Sequence, residues 1–242
     1  MKKKYQNIQA ILFDKDGTLI DFNQTWKNIS FALALRAASG DTAKARLLLQ
    51  AGGFDFEADC FQPESVIAAG TLEDIVSLWH PELKEKGYSA EITFYKQYCS
   101  DQMKNTIVPI DGMKESLITL QSMGYKLGIA TNDSRDSVIV AMQLLGCESL
   151  IDEYLGYDSV FNAKPAGDQI IAFADKMSLH SSEIAMVGDN LHDILAARNA
   201  QAGLAIAVLS GTGNAECLRQ MSDILLPSIR ELPDFFNGIY LS

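Results

Sequence analysis

The sequence predicts an α/β fold: a doubly wound parallel sheet, with a group of helices inserted after its first strand. Three observations carry this expectation. Short runs that are apolar almost throughout alternate with segments of helical spacing; the alternation breaks once, between about residues 22 and 105; and polar clusters close the apolar runs.

The first run, Gln9–Phe13 (QAILF), reads as a short buried strand. Comparable runs follow at Tyr125–Thr131, Tyr157–Phe161, Glu183–Asp189 and Leu204–Leu209. Strands without polar alternation need cover on both faces, and helices on either side of a parallel sheet provide it. The helical segments between them are Gly112–Met123, Ser134–Leu145, Asp168–Met177 and Leu191–Gln201.

Within 22–105 the periodic runs are helical: Phe22–Ala38, Thr42–Gln50, Leu72–Trp79 and Ala90–Met103. Asp41 or Thr42 can cap the second of these, and Gly52-Gly53 can end it. No buried strand is evident there. The expected organisation is therefore a core made of 1–21 and 106–242, and an all-α cap made of 22–105 over the carboxyl edge of the sheet. The irregular stretch GGFDFEADCFQPESVIAAG would face whatever the cap covers, with Pro63–Thr71 a candidate for substrate contact. Hinges are expected where the chain crosses, near Asp21–Asn23 and Asn105–Asp111.

Composition narrows the function. A net charge of −11 and a pI near 4.7 disfavour nucleic acid, whose phosphates call for clustered Lys and Arg. The basic start MKKK precedes an apolar run too short for a signal peptide, and no segment has the length of a membrane span, so a cytoplasmic location is the expectation. Cys60, Cys99, Cys147 and Cys217 are scattered without zinc-like spacing and read as buried or incidental thiols.

In open parallel sheets ligands bind beyond the carboxyl ends of the strands, so the residues that close each apolar run are candidates for chemistry. The first run closes in Asp14, Asp16, Gly17 and Thr18, and the second in Thr131, Asn132 and Asp133. NAKPAGD follows the third and offers Lys164; the fourth closes in Gly188 and Asp189, with Asp193 one helical turn on. Carboxylates converging on one edge repel unless a cation lies between them, and hard oxygen donors suit Mg²⁺. With a lysine and hydrogen-bond donors added, the remaining space suits a phosphoryl group. SGTGN (Ser210–Asn214) resembles a phosphate loop but lacks a following Lys-Ser/Thr and reads as a turn. His80 and His180 carry no signal, and His192 reads as a surface or supporting residue.

Four motifs in order, DKDGT, ATND, KPAGD and GDNLHD, make the sequence resemble the haloacid dehalogenase superfamily of hydrolases, in particular its phosphoglycolate phosphatase-like group with a helical cap. The resemblance implies that Asp14 is the nucleophile that becomes an aspartyl-phosphate and that Asp16 is the general acid and base. It further implies that Thr131 and Asn132 hold phosphate oxygens and that Lys164 offsets charge. Gly17 permits close backbone approach to the phosphate. Mg²⁺ would be held by Asp14, the backbone carbonyl of Asp16 and Asp189, with Asp193 in support. The dehalogenase branch lacks the second aspartate of the first motif, so Asp16 favours phosphoryl chemistry.

The function so implied is a Mg²⁺-dependent phosphatase acting on a small phosphorylated metabolite, phosphoglycolate being the leading candidate, as a monomer or homodimer. Arg36, Lys44 and Arg46 are the cap cations that could meet a carboxylate on such a substrate. A second enzyme reading is a phosphosugar mutase of the β-phosphoglucomutase type. A phosphonate hydrolase would need a Schiff-base lysine, for which Lys27 and Lys44 are nominal candidates, and a non-catalytic binding module would not need the intact set of Asp14, Asp16, Lys164 and Asp189.

Overall fold

The computed structural model describes residues 7–238; the basic start MKKK and both extreme ends of the expected core lie outside them. The chain begins with β1 (Ala10–Phe13), whose four residues are all fully buried. It then leaves the sheet through α1 (Phe22–Ala37), α2 (Thr42–Ala51), β2 (Phe54–Asp55), β3 (Cys60–Phe61), α3 (Val66–Ala69), α4 (Leu72–Trp79) and α5 (Ser89–Thr106). On its return it forms α6 (Met113–Ser122), β4 (Lys126–Ala130), α7 (Arg135–Leu144), β5 (Glu153–Leu155), α8 (Asp168–Met177), β6 (Ile184–Gly188) and α9 (Leu191–Asn199). The last elements are β7 (Leu204–Val208), α10 (Ala215–Met221), β8 (Ile224–Leu226) and α11 (Leu232–Phe236).

Six strands pair in parallel in the order β5-β4-β1-β6-β7-β8, with β1 between β4 and β6. Alternate residues of the central strands enter different clusters. Ile11, Phe13, Ile129 and Val187 pack on one side with α6, α7 and α11, whereas Leu12, Ala130 and Met186 pack on the other with α8 and α9. Full burial of each of the larger side chains contributes about 1.5–3 kcal/mol, which explains why both faces of β1 are apolar.

Residues 22–106 have a separate hydrophobic cluster that includes Ile29, Leu33, Leu49, Trp79 and Tyr95. Its two crossings to the sheet are tied to each other: Asp21 N donates to Val108 O at 2.8 Å, and Val108 N donates to Thr25 Oγ1 at 3.1 Å. Asp41 caps α2 by accepting from Ala43 N and Lys44 N, and Gly52 closes it.

The inserted segment is not all-α, because β2 and β3 form an antiparallel hairpin. Asp55 turns the chain by accepting from Glu57 N and Ala58 N, and Phe22, Phe54, Phe56 and Phe61 meet edge to face. Two-residue strands are too short to show a period.

The third sheet strand also differs from the expectation. It is Glu153–Leu155, whereas Tyr157–Ser159 within the expected 157–161 run forms a 3₁₀ turn. Asp158 Oδ1 accepts from Arg135 N at 2.9 Å and Ser159 Oγ accepts from Gly156 N at 3.0 Å, so polar side chains bend the chain away from the sheet. The actual strand lies at an edge and carries Glu153, which hides it from a search for continuous apolar runs. The opposite edge strand, β8, is three residues long and was not expected. Among the described residues no helix is long and apolar enough to cross a membrane.

Candidate active site

Lys164 organises the carboxyl ends of β1, β4 and β6. Its Nζ lies 2.6 Å from Asp14 Oδ1, 2.6 Å from Asp193 Oδ1 and 2.9 Å from Ala130 O, so each of its three protons has an acceptor. The lysine is buried, and burial alone would lower its pKa; the two carboxylates outweigh that and hold it charged, above its ordinary value.

Asp14 ends β1, with its N–H donating to Val187 O at 2.8 Å. Burial pushes its carboxyl up to about 6, with Lys164 acting in the opposite sense and Asp193 adding to the rise. Asp189 ends β6 and is raised well above the usual carboxylate range by burial and by Asp14 and Asp193. It accepts from Thr18 Oγ1 at 3.3 Å and from Thr212 N at 2.9 Å. The SGTGN loop therefore has a purpose: it cradles the Asp189 carboxylate. The approach is so close that a Cβ on Gly211 would lie 1.9 Å from Asp189 Oδ2. Gly17, at φ +87°, is needed for the same reason, since its Cβ would stand 2.5 Å from the same carboxyl group.

Asp193 has two tasks. One oxygen meets Lys164, and the other accepts from Asn190 N at 3.0 Å at the start of α9. Asp14, Asp189 and Asp193 each offer an oxygen, and the three atoms lie within 4.8 Å of one another. Three carboxylates against one ammonium leave two negative charges in a buried place. A divalent cation with a preference for oxygen balances them, so the donor set fits Mg²⁺. The buried Asn190 amide alongside has no hydrogen-bond partner for either its oxygen or its nitrogen.

Asp16 points to a second group of residues. Its carboxylate receives Trp26 Nε1 at 2.5 Å and lies 2.9 Å from Lys15 Nζ. Lys15 is fully buried and also meets Asp133 Oδ2 at 2.7 Å, while Ser137 Oγ donates to the same oxygen. Burial raises Asp16, with Lys15 opposing it and Asp133 and Asp14 adding to it. In Asp133 burial also acts upward, but Lys15, Ser137 and the Ser134 N–H bring it below the usual range. Lys15 and Trp26 were not anticipated. Asp133 stood among the strand-closing residues without a role.

Thr131 and Asn132 line the crevice. Thr131 Oγ1 accepts from Asp133 N at 3.0 Å. Asn132 clamps the backbone of Lys164 in both directions, accepting from its N–H at 3.1 Å and donating to its carbonyl at 2.9 Å. The same amide reaches Ala69 O in the inserted segment at 3.0 Å.

The stretch Pro63–Thr71 closes over this crevice. Glu64 Oε1 accepts from Leu191 N at 3.0 Å, and His192 lies 3.2 Å from Ala69 O and 3.6 Å from Glu64 Oε2. His192 therefore faces the inserted segment and supports its contact with the sheet. A cavity of about 110 Å³ extends from Asp14, Asp189 and Asn190 into that segment, between α1 and α4. Arg36, Lys44 and Arg46 are exposed and do not line it; Arg36 pairs with Glu91 and stacks on Phe94, and Arg46 stacks on Phe56.

Comparison with known proteins gives one family. Residues 8–201 match the model of the haloacid dehalogenase-like hydrolases. Pyrophosphatase PpaX of Listeria monocytogenes is 29% identical over 233 residues, covering 90% of this chain and 95% of the relative. A predicted phosphoglycolate phosphatase from Haemophilus somnus superposes with a TM-score of 0.70 at 20% identity, over 96% of this chain and 99% of its own. A predicted phosphatase from Clostridium acetobutylicum does so with a TM-score of 0.72 at 19% identity, over 96% and 99%. With a shared fold, a family match over most of its length and Asp14, Lys164, Asp189 and Asp193 gathered in one crevice, the chain belongs to the haloacid dehalogenase-like hydrolases and is a hydrolytic enzyme.

Proposed function

We propose that the protein is a Mg²⁺-dependent phosphatase that hydrolyses a small phosphate ester through an aspartyl-phosphate on Asp14. Residues 22–105 serve as its cap, and 1–21 with 106–242 as its catalytic core. The observation that supports this reading is the arrangement around Lys164, which fixes one oxygen of Asp14 at 2.6 Å while Asp189 and Asp193 supply further oxygens within 4.8 Å.

With Oδ1 held by Lys164, Oδ2 of Asp14 attacks phosphorus and the bond to the leaving oxygen breaks. Asp16 gives that oxygen its proton, then accepts a proton from the water that attacks phosphorus in the second step. The bond between phosphorus and Asp14 breaks, phosphate leaves and the carboxylate is restored. The Thr131 hydroxyl and the Asn132 backbone N–H hold the phosphoryl oxygens, and Lys164 offsets their charge. Asp14, Asp189 and the Asp16 carbonyl, with Asp193 in support, would hold Mg²⁺, which would supply positive charge to the phosphoryl group.

Pyrophosphate and phosphoglycolate, the substrates named by the relatives, are the first to assay. The test is phosphate release from a panel of esters with and without Mg²⁺. Release that needs Mg²⁺ and falls by roughly 10⁴-fold or more in Asp14→Asn is expected. Absence of release from every member, or an active Asp14→Asn, would overturn the reading.

A further inference from the structure

We infer that the substrate's leaving group is apolar, an aliphatic or aromatic alcohol, and that the inserted segment binds it through carbon surface; this rests on the phosphatase reading above. The cavity that opens from Asp14 runs between Phe22 and Leu33 of α1, Ile67 of α3, and Leu72, Ile75 and Trp79 of α4. The polar ends of both indoles are turned to the protein: Trp26 Nε1 donates to Asp16, and Trp79 Nε1 donates to Leu48 O at 2.9 Å. Their carbon faces are what remains for a ligand. Ser30 offers one hydroxyl on this side.

Cations are scarce where a second anionic group would lie. Among the described residues that line the cavity, Lys164 is bound by Asp14 and Asp193, Lys96 stands 3.7 Å from Asp158 and over the ring of Tyr157, and His192 is engaged by Ala69 O and Glu64. Lys27 pairs with Asp59, and Arg36 and Arg46 stack on aromatic rings away from the cavity. A carboxylate or second phosphate placed among Phe22, Leu33, Ile75 and Trp79 would lose its hydration with no counter-charge to replace it. An alkyl or aryl group there gains by leaving water. The core thus recognises phosphate and the insertion recognises hydrocarbon.

The experiment uses n-alkyl phosphates from methyl to hexyl, which share similar leaving-group chemistry, beside pyrophosphate and phosphoglycolate. kcat/KM is measured with Mg²⁺, and Kd of the matching alkylphosphonates is read from tryptophan fluorescence, since both tryptophans of the chain line the cavity. The expected result is a rise in kcat/KM of about threefold per methylene until the cavity is filled, with Kd tightening in parallel. Ile75→Lys is expected to flatten the alkyl series and raise turnover of pyrophosphate. A flat or falling series in both turnover and binding, or pyrophosphate or phosphoglycolate preferred over hexyl phosphate, would overturn the inference. Phosphonate affinity that rises with chain length, without phosphate release from any ester, would support apolar recognition while removing the phosphatase reading.

Discussion

The indole Nε1 of Trp26 donates to Asp16 Oδ1 at 2.5 Å, so the first inserted helix touches the carboxylate that handles protons in the proposed reaction. The contact fixes one Asp16 oxygen while Lys15 fixes the other at 2.9 Å. An orientation held from two sides is what a proton donor to a leaving group needs. Trp26→Phe keeps the ring and removes the N–H. We expect kcat to fall about tenfold to a hundredfold with the circular dichroism spectrum unchanged; an unaltered kcat would show that Lys15 alone orients Asp16.

Lys15 and Asp133 form a buried pair whose loss should be felt in stability. Asp133→Asn leaves Lys15 with Asp16 as its remaining anion, at a cost of about 3 kcal/mol near pH 7. The native pKa of Asp133 is depressed, so its contribution is complete above the ordinary carboxylate value of about 3.9 and disappears as pH falls through the lower native value. Urea denaturation of both proteins should therefore show a large difference at pH 7 that shrinks below about pH 4. A difference independent of pH would mean that Asp133 acts only through packing.

Gly211 leaves no room beside Asp189. The Cβ introduced by Gly211→Ala would meet Asp189 Oδ2 at 1.9 Å and displace the carboxylate from the Thr212 N–H. Mg²⁺ affinity measured by calorimetry should weaken about tenfold to a hundredfold, with half-activation of turnover moving to the same extent. Wild-type affinity in this variant would separate Asp189 from the metal site.

Glu64 closes the inserted segment onto α9 through Leu191 N and His192. Glu64→Ala removes both contacts at a distance from the reacting atoms. We expect KM to rise several-fold with kcat changed less than twofold, together with faster proteolysis in Pro63–Thr71. A loss confined to kcat would place Glu64 in the chemistry instead.

Asn190 presents the remaining question of the site. Both polar atoms of its amide are buried without partners, and the residue lines the same crevice as Asp189. Such a group is costly unless something satisfies it, and a ligand in the crevice can. Asn190→Ala should accordingly weaken phosphate binding, measured as product inhibition, by about fivefold or more while leaving the melting temperature unchanged or higher. A lower melting temperature with unchanged inhibition would show a purely structural amide.

Strand-closing polar residues were legible because the apolar runs before them are local and nearly uninterrupted. Asp14 and Asp189 follow from that rule, whereas Lys164 sits in the loop before α8, after a run that is a 3₁₀ turn and not a strand, and tertiary packing brings it to Asp14. Edge strands were less visible: β5 carries Glu153, β8 spans three residues, and the hairpin at Phe54 has two residues a side. Asp133 belongs to a legible strand end, yet its partner Lys15 lies 118 residues away. Lys15 sits in DKDGT between two residues with recognised roles, and nothing near it in the chain explains why a lysine is fully buried there.

By itself the sequence determines the parallel sheet, the insertion after the first strand and the residue types at the strand ends, because periodicity and turn chemistry act over a few neighbouring residues. Only the tertiary structure decided that SGTGN holds Asp189 through Thr212 N, that Trp26 reaches Asp16, and that Arg36, Lys44 and Arg46 are exposed while aromatic and aliphatic carbon of the inserted segment lines the crevice at Asp14. Those facts depend on which surfaces meet after folding, where hydrogen bonds and burial join residues that the chain keeps far apart.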